Sequence, residues 1–424
     1  MESATAHHPP AERTAVQGKR LLAPDFARGF TLLGIAGANV ATAWVQTPQA
    51  PMAGMVGGVY DNSMLDKIAV LLGCVFFHVR GLPMFSTMLG FGIGLIVASL
   101  YRRQYPLAKA RRVILRRYGF LAIFGLIHCV FLFYGDIMLF YGLAGMLMAA
   151  LITLNDKTLL WIAGIGLIGN TLLYLILGII ATVASELVPE FGTAMAGSNM
   201  SGEAPTTYMD QLITGSVMAG TSPFMFVAEA AMLMPLILIG FVAARRGVLT
   251  NPDAYLTQLR WAAGIAVAIM LGCGLPMGLA FIGVLPERWG LPLFLVNAGV
   301  GVLTGPGIIA MIVLALRPLQ ARWNRVQEDK SLSLPLRCVL GLGKRSMSGY
   351  LLQSILFTIL VTKWGFGFTQ DQGAFDSMLA AIGVWVATLV ICGGLEIAHL
   401  PGPFEWLHRR LSYGKHGLHR QYQP

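Results

Sequence analysis

From Tyr118 to Leu154 the chain reads YGFLAIFGLIHCVFLFYGDIMLFYGLAGMLMAALITL, two apolar runs joined at a Tyr-Gly-Asp turn. Tyr118–Gly135 and Ile137–Leu154 each approach the ~20 residues that a helix needs to cross a bilayer, and only Asp136 between them is formally charged. So short a link between two such runs predicts a helical hairpin inside a membrane.

The rest of the chain repeats the pattern. Of 424 residues, 56% are hydrophobic, 50 are glycine and only 12% are charged, about half the usual share. A soluble fold cannot cover that much apolar surface with so few charges, which excludes soluble-enzyme, disordered and secreted disulfide classes. Cys74, Cys129, Cys273, Cys338 and Cys392 stand singly in apolar stretches, with no metal-ligand spacing, and read as packing residues. The first twenty residues lack the layout of a cleaved signal, so the first apolar run is expected to stay as a span.

Ten runs have spanning quality: Gly29–Gln46, Leu82–Tyr101, Tyr118–Gly135, Ile137–Leu154, Thr158–Ser185, Phe224–Ala244, Trp261–Leu285, Pro292–Leu316, Cys338–Val361 and Met378–His399. Met64–Val79 is shorter and ends at Arg80-Gly81, which suits an interfacial or re-entrant helix; an eleventh span is the competing reading. The expected fold is therefore an all-α polytopic bundle. A polar tail at 1–24 precedes a single membrane domain at 25–400, and a basic tail follows at 401–424. Loop charges set the orientation. With both termini cytoplasmic, only Lys67, Arg80, Arg288 and Lys363 of the 30 basic residues fall outside, and the link Glu186–Pro223, acidic and without a base, falls outside too. Basic residues confined to short links predict an inner or plasma membrane, with lipid and not nucleic acid as the surrounding partner.

Ionisable groups inside apolar runs need a reason. Arg28 and Asn39 lie in the first span, where Arg28 can anchor at the interface or bind an anion, and Asn39 can hydrogen-bond a neighbouring helix. His128 lies about two turns before the Tyr-Gly-Asp turn, and Tyr141 follows Asp136 at similar depth. A histidine and a carboxylate approaching one cavity suit proton transfer; a backbone carbonyl satisfying the imidazole is the structural alternative. Arg80, at a bend next to Gly81 and Pro83, can bind an anion or pair with Asp61 or Asp66. Glu229, a lone carboxylate, is expected to pair with a structural partner. Lys344 and Arg345 can hold phosphates or anchor the inner face, and Gln353 follows them in the ninth span. Gly90-Phe91-Gly92-Ile93-Gly94 lies within a span and reads as close helix packing, not as a nucleotide loop.

Asp25-Phe26-Ala27-Arg28-Gly29-Phe30 with Leu32-Leu33-Gly34-Ile35 and Asn39 resembles the opening of YeiB-like bacterial membrane proteins. Gly125-Leu126-Ile127-His128, Gly135-Asp136-Ile137 and Tyr141-Gly142-Leu143 are similar to a second signature, and Ile239-Gly240 with Arg246-Gly247 to a third. Tyr350-Leu351-Leu352-Gln353-Ser354 and Gly402-Pro403-Phe404-Glu405-Trp406-Leu407 complete the series in order. Gly349 and His408 depart from it, where the family often has Asn and Trp. The resemblance implies the transmembrane acyltransferase superfamily, alongside heparan-α-glucosaminide N-acetyltransferase and the O-antigen acyltransferases. These move an acyl group, typically from cytoplasmic acyl-CoA, to an acceptor across the membrane. Asn39 matches the asparagine that serves the lysosomal enzyme. The histidine following it there has no counterpart in Trp44–Val56, so His128, or else His78, would supply the base.

Two functions follow as expectations. In a membrane acyltransferase, His128 deprotonates the acceptor, Asp136 orients it and Asn39 donates to the thioester oxygen. Arg28, Arg80, Tyr141, Lys344, Arg345 and Gln353 bind substrate. Acyl-CoA is the co-substrate, with no bound cofactor or metal. The acceptor is a glycan, lipid or small molecule, and a homodimer is a possible assembly. The alternative is a transporter or flippase for a lipid-linked or small anionic solute.

Overall fold

Helix is the only regular structure among the described residues of the computed structural model, which are 21–45, 56–187, 205–326, 332–370 and 372–422. The elements are α1 (Leu22–Asn39), α2 (Met64–Leu72), α3 (Gly81–Arg102), α4 (Leu107–Phe131) and α5 (Met138–Leu151). After them come α6 (Asp156–Leu187), α7 (Tyr208–Arg246), α8 (Leu256–Ile269), α9 (Leu275–Phe281) and α10 (Gly290–Gly301). The last are α11 (Thr304–Val326), α12 (Leu334–Lys344), α13 (Ser346–Leu360), α14 (Ala374–Ile397) and α15 (Pro403–Tyr413). Wide π-turns at Val40–Trp44, Gly73–Phe77 and Met270–Gly274 extend α1 and α2 and join α8 to α9.

Seven helical stretches are long and apolar enough to cross a bilayer, and α5 and α13 are shorter apolar helices. The chain is a polytopic helical bundle. Helix α6 turns Trp161, Ile165, Ile168 and Ile179 outward, each more than 60% exposed, a surface that only hydrocarbon solvates well.

All ten expected spans fall on helix, but several boundaries differ. Helix α7 begins at Tyr208 and not near Phe224, because Thr207 and Asp210 form a capping box that starts it in the expected outer link. The rest of that link, 188–204, lies outside the described residues. Helix α1 begins at Leu22, inside the expected tail, with Pro24 in its first turn, where proline is tolerated. Two legs expected to be continuous are broken. Between α10 and α11, Gly301 packs on the Arg80 guanidinium. Between α12 and α13, Arg345 leaves the helical path (φ −114°, ψ 33°) and turns toward α14. The expected C-terminal tail contains α15, which docks on α4.

Small residues let the helices that carry the site approach closely. A Cβ at Gly90 of α3 would overlap the Ile237 carbonyl of α7, and one at Gly240 of α7 would overlap the Thr87 carbonyl of α3. Gly125 meets Leu139 and Gly142 meets Ala122 in the α4–α5 hairpin, and Gly343 of α12 rests on the Asp25 carbonyl of α1. The main core fills the space between α1, α3, α4, α5 and α7, where Leu32, Ile93, Leu121, Tyr141 and Ile237 are buried. Basic residues gather at one end of the bundle. Arg245 and Arg246 pair with Asp156, Arg103 holds the Leu418 and His419 carbonyls, and Arg117 donates to the Tyr413 hydroxyl.

Candidate functional site

The α4–α5 hairpin predicted from Tyr118–Leu154 brings its two polar residues together. Nδ1 of His128 and Oδ1 of Asp136 lie 2.7 Å apart, with both side chains excluded from solvent (1% and 0% exposed). The second carboxylate oxygen, Oδ2, accepts the Leu139 N–H at 2.7 Å in the first turn of α5. An acid at a helix N-terminus is held by backbone donors and the helix dipole, so Asp136 is fixed before it orients anything. The carboxylate accepts only, so Nδ1 of His128 carries the hydrogen and Nε2 is left with a lone pair. That lone pair faces Ser354 of α13, whose Oγ is 2.9 Å away. Asp136, His128 and Ser354 thus form a continuous buried chain, of which Ser354 was not singled out from sequence.

The Tyr350 ring, one turn earlier on α13, packs 5.1 Å from the imidazole. Its hydroxyl faces the Ile137 backbone and, like Nε2 of Gln353, is buried without a well-formed hydrogen bond. On the opposite side, Phe133 stacks on Trp44 at 4.7 Å and Trp44 on Phe357 at 5.5 Å, an aromatic cap between the chain of polar groups and the far end of the bundle. Tyr134 fastens this cap by donating to the Ala43 carbonyl.

A cavity of about 480 Å³ runs from the basic end of the bundle to the Tyr350 ring, within the ~300–1,000 Å³ usual for small-molecule sites. Asp25, Arg28, Arg117, Lys344, Glu405 and His408 line its mouth, and Leu32, Ile35, Met88, Leu89 and Leu121 its shaft. Ile137, Met138, Tyr141 and Tyr350 close the inner end. The lining is graded: charged, then apolar, then hydroxylic.

The expected site residues divide between this cavity and other places. Arg28 lines the mouth, 3.9 Å from Asp25 and against Gly92 of α3. Lys344 lines it while pairing with Glu396. Tyr141 lines the inner end, its hydroxyl donating to the Leu82 carbonyl and 3.1 Å from Ser86. Gln353 is 2% exposed on the helix that carries Ser354. Arg345 instead donates to Glu396, Gly341, Leu395 and Leu400, which ties the α12–α13 break to α14. Arg80 donates to the Val75 and Val79 carbonyls and to Asn297, and Asn297 donates to His78. Arg80 and His78 therefore belong to a network apart from the cavity. Asp66 accepts from Tyr60 and Phe375 and is not the partner of Arg80. The side chains of Asn39 and Glu229 make no hydrogen bond or ion pair among the described residues, so Glu229 lacks the expected partner.

Sequence reasoning missed Arg117, Glu405 and His408. Oε1 of Glu405 accepts the Met347 and Ser348 N–H groups, which caps α13 from a distant part of the chain. A Cβ at Gly402 would overlap that carboxylate, so the small residue before Pro403 is a steric requirement. Nε2 of His408 donates to the Arg117 carbonyl at 2.8 Å. Burial, reinforced by the Arg117 charge, pushes the His408 imidazole down to about 4. The motif that contains Glu405 was the available signal.

These features define a multi-pass helical membrane protein with a buried acid–imidazole–hydroxyl chain at the end of an internal cavity. Residues 243–415 match the family described as "Protein of unknown function (DUF418)". The chain is 21% identical over 411 residues to the uncharacterized protein YxaH of Bacillus subtilis (strain 168), covering 92% of this chain and 93% of YxaH. It is 23% identical over 417 residues to the uncharacterized protein YeiB of Escherichia coli (strain K12), covering 92% and 95%. The similarity to these YeiB-like proteins therefore runs along nearly the whole chain, and the family match falls in its C-terminal part.

Proposed function

We propose that the protein is an integral membrane acyltransferase of the bacterial inner membrane. It moves an acyl group from a cytoplasmic thioester donor, acyl-CoA, to a hydroxyl or amine acceptor at the other face. The supporting observation is the graded cavity: a cationic mouth at the basic end, an apolar shaft, and His128 behind the ring that closes it. Phosphates of the donor rest near Arg28, Arg117 and Lys344, and the acyl-pantetheine arm enters the shaft. His128 is the general base, and Asp136 stabilises the imidazolium that forms. Asn39 does not line this cavity, and no role toward the thioester is proposed for it.

The transporter reading draws on the two broken legs, because interrupted helices build substrate sites in carriers. Here Arg80 and Arg345 take internal partners at those breaks, so neither arginine is free to hold a solute.

The test uses purified full-length protein with acetyl-, octanoyl- and palmitoyl-CoA, measuring thermal stabilisation and release of free CoA by chromatography. A donor that binds the folded state raises its apparent stability. His128→Ala should abolish release and keep the thermal shift, whereas Arg28→Ala should weaken the shift. Absence of a shift with every donor, or full release by a folded His128→Ala protein, overturns the proposal.

A further inference from the structure

The geometry points to Ser354 as a nucleophile that carries the acyl group covalently between donor and acceptor. This rests on the acyltransferase reading and deepens it, since base-assisted transfer needs no serine.

Three observations carry the inference. First, Oγ of Ser354 lies 2.9 Å from Nε2 of His128, the nitrogen left with a lone pair once Nδ1 donates to Asp136. A nucleophile, a base and an orienting acid within hydrogen-bond reach form the constellation that activates an alcohol, whatever the fold. Second, the hydroxyl has one proton and two candidate acceptors. The Tyr350 carbonyl is 3.4 Å away and too long to compete, so the proton points at Nε2. Serine on a membrane helix commonly bonds back to its own carbonyls; here the imidazole has drawn it away. Third, Tyr350 and Ser354 are one turn apart on α13, so the end of the cavity is about 6 Å along the helix from Oγ. The Tyr350 ring covers that step, its hydroxyl facing the Ile137 backbone without a well-formed bond.

The reaction takes two displacements. Oγ of Ser354 attacks the thioester carbonyl carbon while its proton passes to Nε2 of His128. The C–S bond breaks, and the thiolate leaves with that proton as free CoA thiol. Ser354 is now an ester and His128 is neutral again. An acceptor hydroxyl or amine then gives its proton to Nε2 and attacks the ester carbonyl. The C–Oγ bond breaks, and Ser354 recovers its proton from the imidazolium. Splitting the transfer suits a protein whose donor and acceptor come from opposite faces, because the two need never be bound together.

The test is intact-protein mass spectrometry of the full chain after incubation with acetyl-CoA and octanoyl-CoA in the absence of acceptor, beside chromatography of free CoA. The expected result is a mass increase equal to one acyl group on Ser354, matched by about one equivalent of CoA released in a burst. Ser354→Ala should lose the adduct and reduce the burst at least 100-fold, with an unchanged thermal shift on donor binding. Ser354→Cys should trap a hydroxylamine-sensitive thioester. CoA release by Ser354→Ala at the wild-type rate, with no adduct in the wild type, overturns the covalent carrier and leaves the acyltransferase reading intact. No release and no thermal shift in the wild type overturns both.

Discussion

His128 lies between an acid and an alcohol, and each neighbour fixes a different property of the ring. Asp136 determines which nitrogen bears the hydrogen, and Ser354 marks where the free lone pair points. The acid is a positioning residue, so its substitution should change protonation more than shape. Asp136→Asn preserves size and can still face Nδ1, but it cannot stabilise an imidazolium. We expect CoA release to fall by about 10²–10⁴-fold, with a displaced pH–rate profile and substantial recovery in Asp136→Glu. A melting temperature lowered to the same extent in both variants, with no movement of the pH profile, would mean that the pair only holds α4 and α5 together.

Helix α13 is the element on which the site depends. It carries Tyr350, Gln353 and Ser354, and its first turn is capped by Glu405 of α15. The register of the hydroxyls is therefore set by a helix that lies after the last span. His408 on the same helix supplies a pH dependence whose sign follows from its environment. The imidazole is near 6.5 in an unfolded chain and is held at about 4 when docked. Docking of α15 is then at full strength above about pH 6.5 and weakens as the pH falls toward 4, where the unfolded form binds the extra proton. The loss reaches at most about 1.4 kcal/mol per pH unit within that window. Limited proteolysis of the C-terminal segment between pH 7.5 and 4.5 should show the loosening, and His408→Asn should flatten it. A sensitivity that is the same in both proteins would assign the effect to other groups.

At the scale of the molecule, the cavity exists because its walls are held apart by some helices while others nearly touch. The α3–α7 contact is a tight constraint from both sides, since Gly90 and Gly240 each face a carbonyl of the other helix. Backbone cannot move aside as a flexible side chain can. Gly240→Leu should therefore force the helices apart, reducing the yield of monodisperse protein and lowering its melting temperature by several degrees. A melting temperature equal to that of the wild type would show that the bundle tolerates the separation. Gly92, on the turn between Gly90 and Gly94, faces Arg28 instead, so one glycine-rich segment serves both the packing and the mouth.

Hydropathy and loop charge were enough to read the class of protein, because burial in hydrocarbon imposes a run length on each segment and basic residues in short links impose an alternation between segments. Both are local properties, and the positions of nearly all helices follow from them. The His128–Asp136 pair was equally legible, since a short turn folds its two residues onto each other. Ser354 was not, although it stands in a recognisable motif: it lies 226 positions from His128, and no periodicity says which face of α13 meets α4. Arg80 and Arg345 show the converse. Charge in a span marks a residue as needing partners, but only the assembled bundle shows that backbone carbonyls, Asn297 and Glu396 already supply them. Which polar groups are spent on structure and which remain for chemistry is set by contacts between distant helices, and those are fixed by how the apolar surfaces and small residues pack.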